Sequence, residues 1–479
     1  MGSDIRTLLL RAISLDTRSI SLFRVGIGLA VLLSLSTYYG IYREMIVSYE
    51  LVSLEMIARL DPVKSAVYHL PFHMAPGVIP WLLPAAIVVA ALATMLGYRS
   101  QPACAACWLL MAMLQARNPT VTNFGDQILL VLLFWGAFLP LGSHFSLDRM
   151  QGRVARRSTT VEASVPTFAM LLQFSAIYFM PGILKTGPAW TEEMNAVWLV
   201  LAQKWRAAPL AELLLPYKAL LDASTYLVRP LEMVLPLLLF TPFAQGPARL
   251  AAVAGLWGFH LLLAVFLVLG AFPLFAILAS TVLLPTAFWD GKLLGFGPVA
   301  ASPEPLRFGG ARRVSTWACA GFIGVSLIGA ASILAGRDQA WSPFDRLTRT
   351  FYLEQRWTMY SPDVLGFDGW LVAPALLSSG RRVDLMRDGD PITAAAPPAP
   401  WSGAGARRTS YFDRIYEVPD LGRVYVEQLC EDWNRDNAGE PAVTAEFHCF
   451  WVDIRKPGPQ VMERDEMLFR VDCRPQTGG

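Results

Sequence analysis

Charge is what this chain most lacks. Of its 479 residues only 16% are Asp, Glu, Lys or Arg while 54% are hydrophobic, and lysine is scarce beside arginine. That shortage, with a mean hydropathy of +0.41, excludes an ordinary soluble domain. A balance of +2 and a pI near 8.2 offer no basic surface for nucleic acid. Histidines number five and cysteines six. None sits in a convincing metal-ligand or redox spacing, since Cys104 and Cys107 lack the surrounding charge that a reactive pair needs. No nucleotide motif occurs either, so no cofactor is evident. No small-residue cleavage site follows the first apolar run, and Arg6 and Arg11 precede it, which reads as a retained signal anchor.

What the chain has instead is long apolar runs. Crossing a bilayer as a helix takes about 20 mainly apolar residues, because lipid offers an open backbone no hydrogen-bond partner. Such runs fall at about 20–41, 78–98, 101–117, 126–145, 165–184, 225–246, 249–269, 271–289 and 315–336. The expected fold is an α-helical polytopic membrane protein with about nine transmembrane helices over residues 1–336, and the bilayer as its first partner. Arginines and lysines cluster before the first run (Arg6, Arg11, Arg18), between the fourth and fifth (Arg149, Arg153, Arg156, Arg157) and between the eighth and ninth (Lys292, Arg307, Arg312, Arg313). All three clusters share one side of a nine-span chain, and the positive-inside rule makes that side cytoplasmic. The N-terminus is then cytoplasmic and the C-terminus outside, in a plasma membrane that the arginine excess suggests is bacterial. The stretches 42–77 and 185–224, with Trp198 and Trp205 in the second, face the outer side and read as interfacial or re-entrant.

After Gly336 the composition turns charged and aromatic, so residues 337–479 read as a β-rich extracytoplasmic domain. Val443 to Asp453, the Lys456-Pro457-Gly458-Pro459 turn and Met467 to Val471 make one hairpin. Gly369 to Val372 and Arg382 to Leu385 suggest another. Tyr425 to Asn434 reads as a short helix and 392–406 as a Pro- and Ala-rich loop. Outside the cytoplasm, Cys430, Cys449 and Cys473 can form one disulfide. Cys430 with Cys449 is the first expectation, and the pairing stays open.

Charge inside the membrane is expensive unless paired, hydrated or used. Counting depth from the outer face puts Asp126, Lys185, Arg229, Glu232 and His260 in one layer. A structural ion pair of Lys185 with Glu232 accounts for this as well as a catalytic pocket does. Arg24 and Asp290 lie nearer the inner face and read as structural or interfacial.

Several stretches resemble the HTTM (horizontally transferred transmembrane) domain: Leu22-Phe23-Arg24-Val25-Gly26, Arg117-Asn118-Pro119, Phe138-Leu139-Pro140-Leu141-Gly142, Tyr178 to Trp190, Gly258-Phe259-His260 and Phe288-Trp289-Asp290. Trp357-Thr358-Met359-Tyr360-Ser361-Pro362 and Asp368-Gly369-Trp370 resemble bacterial members. That domain is shared with the vitamin K-dependent γ-carboxylases, whose lysine deprotonates a quinol. The resemblance implies that Lys185 is a base, that His260 and Glu232 match a histidine and an acid of those enzymes, and that the substrates are a vitamin K-like quinol and an exported protein or peptide. Two departures stand out: Asp126 replaces the histidine of the carboxylation half-reaction, and Leu184 replaces a second lysine. Glutamate carboxylation is therefore not carried over. Two functions stay open, a membrane enzyme with Lys185, His260 and Glu232 catalytic and Asp126 and Arg229 in its pocket, and a non-catalytic export or maturation factor.

Overall fold

A computed structural model describes residues 2–154, 160–204, 206–291, 310–337, 343–397, 403–455 and 462–473. Trp205, Arg156, Arg157, Lys292, Arg307 and the 456–459 turn lie outside the described residues.

Each of the nine apolar runs falls on a helix: α1 (Thr17–Ser36), α2 (Ile79–Leu96), α3 (Ser100–Arg117), α4 (Phe124–Gly136), α5 (Val165–Leu184), α6 (Lys218–Leu238), α7 (Gln245–Phe266), α8 (Phe272–Ser280) and α9 (Gly310–Leu334). Five are long and apolar enough to cross a membrane: α1, α2, α5, α7 and the Thr316–Leu334 part of α9. The expected count of nine is not reached on that criterion. The segments Phe124–Gly136 and Phe272–Leu283 are apolar but short, α3 carries Gln101, Gln115 and Arg117, and α6 carries Lys218, Asp222, Arg229 and Glu232.

Local chemistry sets the helix ends. Asp16 caps α1 by accepting the Arg18 N–H at 2.8 Å. A reciprocal box starts α4, in which Asn123 Oδ1 accepts the Asp126 N–H at 3.3 Å and Asp126 Oδ2 accepts the Asn123 N–H at 3.0 Å, satisfying donors that a helix start leaves orphaned. Gly97 closes α2 at φ +69°, where a Cβ would also stand 2.1 Å from Arg24 Nη1. Arg24 is buried and donates to the Phe145 carbonyl at 2.6 Å, so its role is structural. Asp290 pairs with Arg18 at 2.9 Å.

In the bundle, α1 packs on α2 and α8, and α6 lies between α5 and α7. Strand β1 (Ser14–Asp16) pairs antiparallel with β2 (Val161–Ala163). This puts the starts of α1 and α5 side by side, while the Arg18–Asp290 pair brings the segment after α8 to the same end. The stretch 42–77 forms short helical pieces, Arg43–Val47, Leu54–Leu60, Pro62–Tyr68 and Leu70–Met74, and 185–224 gives Pro188–Thr191, Ala196–Ala202 and Pro209–Glu212 before α6 begins.

Beyond α9 the chain builds a five-stranded antiparallel sheet from β3 (Phe367–Val372), β4 (Pro374–Leu377), β5 (Arg382–Asp384), β6 (Ala442–Asp453) and β7 (Arg464–Asp472). The expected β6–β7 hairpin is present. The other expected hairpin is corrected: β3 pairs with β6, and β5 pairs with the intervening β4. The tight turn joins β4 to β5 at Ser378-Ser379-Gly380, where Gly380 takes φ +85°. Two helices replace the single short one. The helix at 425–434 extends to α11 (Pro419–Asp436), and α10 (Gly403–Glu417) begins inside the stretch read as loop. Cys430 bonds Cys473 rather than Cys449, which remains a free buried thiol. Cys430 on α11, which packs on β6 and β7, meets Cys473 just past the end of β7. One continuous apolar core runs from the helices into this region, taking in Leu353 and Trp357.

Candidate functional site

The Gly182-Ile183-Leu184-Lys185 end of α5 is shaped by close approach. A Cβ on Gly182 would lie 2.9 Å from Met233 Cγ and 3.3 Å from Glu232 Cβ, so the bare glycine lets α6 lie against α5. That contact sets Lys185, the residue that ends α5, opposite Glu232. Lys185 Nζ donates to Glu232 Oε2 at 2.8 Å and Oε1 at 3.0 Å, and to the Met359 carbonyl at 3.1 Å. It also stands 5.0 Å from the centroid of the Trp190 ring. Lys185 is 2% exposed and Glu232 7%. The expected pair therefore forms, with its ammonium fully hydrogen-bonded.

The chain after Lys185 is tied to the Met359–Asp363 segment, two stretches that stood apart in the sequence. Gly187 N–H and Thr186 N–H donate to the Pro362 carbonyl at 2.8 and 3.1 Å. Trp190 Nε1 donates to the Tyr360 carbonyl at 2.8 Å, and Asp363 Oδ1 accepts the Ala189 N–H at 3.0 Å.

Lys185 and Glu232 form part of the wall of a cavity of about 860 Å³. Its lining is mainly apolar and comes from α5 (Ile177, Tyr178), α6 (Leu221, Val228), α7 (Phe259, Leu263, Phe266) and the region beyond α9 (Tyr360, Val364, Trp370, Asp413). His260 is also in this wall, 1% exposed, with Nε2 2.8 Å from the Tyr178 hydroxyl. Its Nδ1 has no hydrogen-bond partner among the described residues. Such a cavity, mostly apolar with a few converging polar groups, is the usual form of a small-molecule site.

The other two expected pocket residues lie elsewhere. Arg229 Nε donates to the Gly182 carbonyl at 3.1 Å and bolts α6 to α5 without lining the cavity. Asp126 is sealed in a different ion pair, with Arg407 of α10, where Nη1 and Nη2 reach its two oxygens at 2.8 and 2.9 Å. The same guanidinium donates to Thr37 Oγ1 at 2.6 Å and the Val121 carbonyl at 3.1 Å, and sits 3.7 Å over the Tyr38 ring. Sequence reasoning missed Arg407, because it stands just past a stretch read as loop and nothing local announces its partner. Tyr178 and Trp190 were quoted only as part of the lysine's setting.

Also in the cavity lining, Arg206 pairs with Asp413 at 2.8 Å. The side chains of this pair are 41% and 48% exposed. Burial pushes the Cys449 thiol up to about 12, so this cavity-lining cysteine stays a neutral thiol and is a poor nucleophile.

A family model for the HTTM domain matches residues 14–289, more than half of the chain. The chain belongs to the HTTM family. HTTM membership and the apolar helices make it an integral membrane protein. The matched part contains Lys185, Glu232, His260, Asp126 and Arg229, whereas Arg407 and the sheet lie beyond it. Comparison with curated proteins gives no match. Comparison with solved structures gives none.

Proposed function

We propose that this HTTM protein is a membrane enzyme that holds a quinol or another lipid-soluble substrate in the cavity and uses Lys185 as the base. The observation that carries this reading is the placing of Lys185 with Glu232, and of His260 with Tyr178, in one apolar wall. In that wall the pair can hold its proton in two ways, as ammonium with carboxylate or as amine with carboxylic acid. The second arrangement leaves a lone pair on Nζ that can take a proton from a substrate hydroxyl. Glu232 stores the displaced proton, the Met359 carbonyl and Trp190 keep Nζ in place, and His260, whose Nδ1 has no hydrogen-bond partner among the described residues, stands in the same wall. A bound quinol would supply the acidic hydroxyl and the electrons for reaction with oxygen. Modification of an exported protein or peptide would follow from that chemistry.

The proposal includes an orientation, with nine helices crossing a bacterial plasma membrane, the N-terminus in the cytoplasm and the sheet outside. It is supported by the gathering of the α1 and α5 starts and the segment after α8 at one end of the bundle, where Arg18 also lies. Alkaline phosphatase fused after residue 479 should be active, and a cytoplasm-active fluorescent reporter in its place should be dark. The reverse would overturn the orientation. The enzymatic reading predicts oxygen-dependent oxidation of added naphthoquinol by the protein in nanodiscs, above the rate with empty nanodiscs. Equal rates would remove quinol as substrate.

A second reading, a non-catalytic export or maturation factor, draws on one observation: the ammonium donors of Lys185 are all satisfied within the protein. On that reading the pair is structural, and Lys185→Met acts on stability alone.

A further inference from the structure

The sheet edge that meets the cavity carries no strand among the described residues. Strands β3 and β4 run end to end along β6, with Phe367 opposite Asp453, Val372 opposite His448 and Ala375 opposite Ala445. Ile454 donates to the Gly366 carbonyl at 3.0 Å, which fixes the alternation of an antiparallel ladder. The even-numbered residues of β3 exchange bonds with β6, and the backbone groups of Phe367, Gly369 and Leu371 point away from it. Along β4 the corresponding odd-numbered groups are used by the next segment: Leu385 N–H donates to the Ala373 carbonyl at 3.0 Å, and Leu377 N–H to the Arg381 carbonyl at 2.9 Å. Strand β5 pairs only with 374–376. Beside β3 the Gly369 N–H is taken by Asp368 Oδ1 at 3.0 Å. The outward carbonyls of Phe367, Gly369 and Leu371 and the N–H groups of Phe367 and Leu371 face no strand among the described residues.

All five residues 367–371 line the cavity. Successive side chains of a strand point to opposite faces, so a cavity lying on one face of the sheet would touch alternate residues. Contact with five in succession means that the cavity meets β3 along its edge. An open edge is a template for another extended backbone, because its unpaired donors and acceptors repeat every second residue. Charge narrows the partner further. Among the described residues that line the cavity five are acidic and two basic; Lys185 is paired with Glu232 and Arg206 with Asp413, which leaves the lining with an acidic excess.

We propose that the β3 edge receives an extended, basic polypeptide segment as an added strand, giving the cavity a peptide partner as well as a lipid-soluble one. This inference shares the cavity with the proposed function and does not depend on the proton chemistry of Lys185.

The test uses the full-length protein in phosphatidylcholine nanodiscs and a fluorescein-labelled ten-residue peptide of alternating valine and lysine, with binding read by fluorescence anisotropy. Saturable binding absent from empty nanodiscs is expected. Two further probes carry N-methyl groups on either the valine or the lysine amides. Strand addition uses one edge of the peptide, so one of them should bind at least tenfold more weakly and the other should bind like the parent. A glutamate-for-lysine peptide should also lose at least tenfold. Leu371→Pro removes an outward N–H while leaving the β6 ladder intact, and should weaken the parent peptide at least tenfold without changing thermal unfolding. If that variant does not fold, the N-methyl probes decide on the unaltered protein. No saturable binding of the parent peptide, or equal binding of both methylated probes and the parent, would overturn the inference. Lys185→Met should still bind the peptide, so loss of turnover with retained binding would fault the base and not the edge.

Discussion

Two buried ion pairs stand in this molecule and differ in what they border. Asp126 and Arg407 have side chains 1% and 2% exposed, and their surroundings are protein, with Ser34, Thr37, Val121 and Tyr38 around the guanidinium. Lys185 and Glu232 are almost as buried but form part of a cavity wall. A sealed pair can only hold the structure together, and here it joins α10 to the helix bundle. A pair that faces enclosed space can exchange a proton with whatever occupies that space. Burial alone does not separate the two cases; access from the cavity does.

The sealed pair should give the largest loss of stability. Arg407→Met strands Asp126 in a buried site, and breaking a buried pair from one side costs about 3–5 kcal/mol. Thermal unfolding in nanodiscs should show this. Adding Asp126→Asn should restore only part of it, because the lost contacts to Thr37, Val121 and Tyr38 are not replaced. Full recovery would mean that the charge pair alone joins α10 to the bundle.

The disulfide should come next. Cys430 and Cys473 close a loop of sequence separation 43, and Cys430→Ser with Cys473→Ser should lower stability by about 2–4 kcal/mol. Peptide mapping without reduction should find this pair and a free Cys449. A Cys430–Cys449 peptide would contradict the sheet packing described above.

The cavity pair should show the smallest loss. Lys185→Met with Glu232→Gln leaves no buried charge, and the double variant should unfold within about 1 kcal/mol of the parent, in the range of volume-conserving core changes, while losing turnover. A large loss of stability in that variant would make the two pairs alike and erase the contrast.

How far the sequence reveals this follows from the range of each interaction. The helices at 79–96 and 165–184 were readable almost to the residue, because an unbroken apolar run is a local signal and Pro80, Gly97 and Pro166 mark its ends. The start of α6 was misread because its first turns are amphipathic and carry Lys218 and Asp222. In the sheet, β6 and β7 follow one another and were legible as a hairpin, whereas β3 finds β6 across some 80 residues of chain. Depth counting brought Lys185 and Glu232 together, although α6 begins earlier than expected and Glu232 lies in its second half. The same counting gave Asp126 no partner, because Arg407 is 281 residues away on a helix outside the bundle.

The account rests on Lys185 acting as a base from the cavity wall. Its most direct test is Lys185→Met, with thermal unfolding and naphthoquinol oxidation measured on the same nanodisc preparation. A folded protein with no turnover above empty nanodiscs is the predicted result. A folded Lys185→Met protein that oxidises the quinol at the parent rate would contradict it.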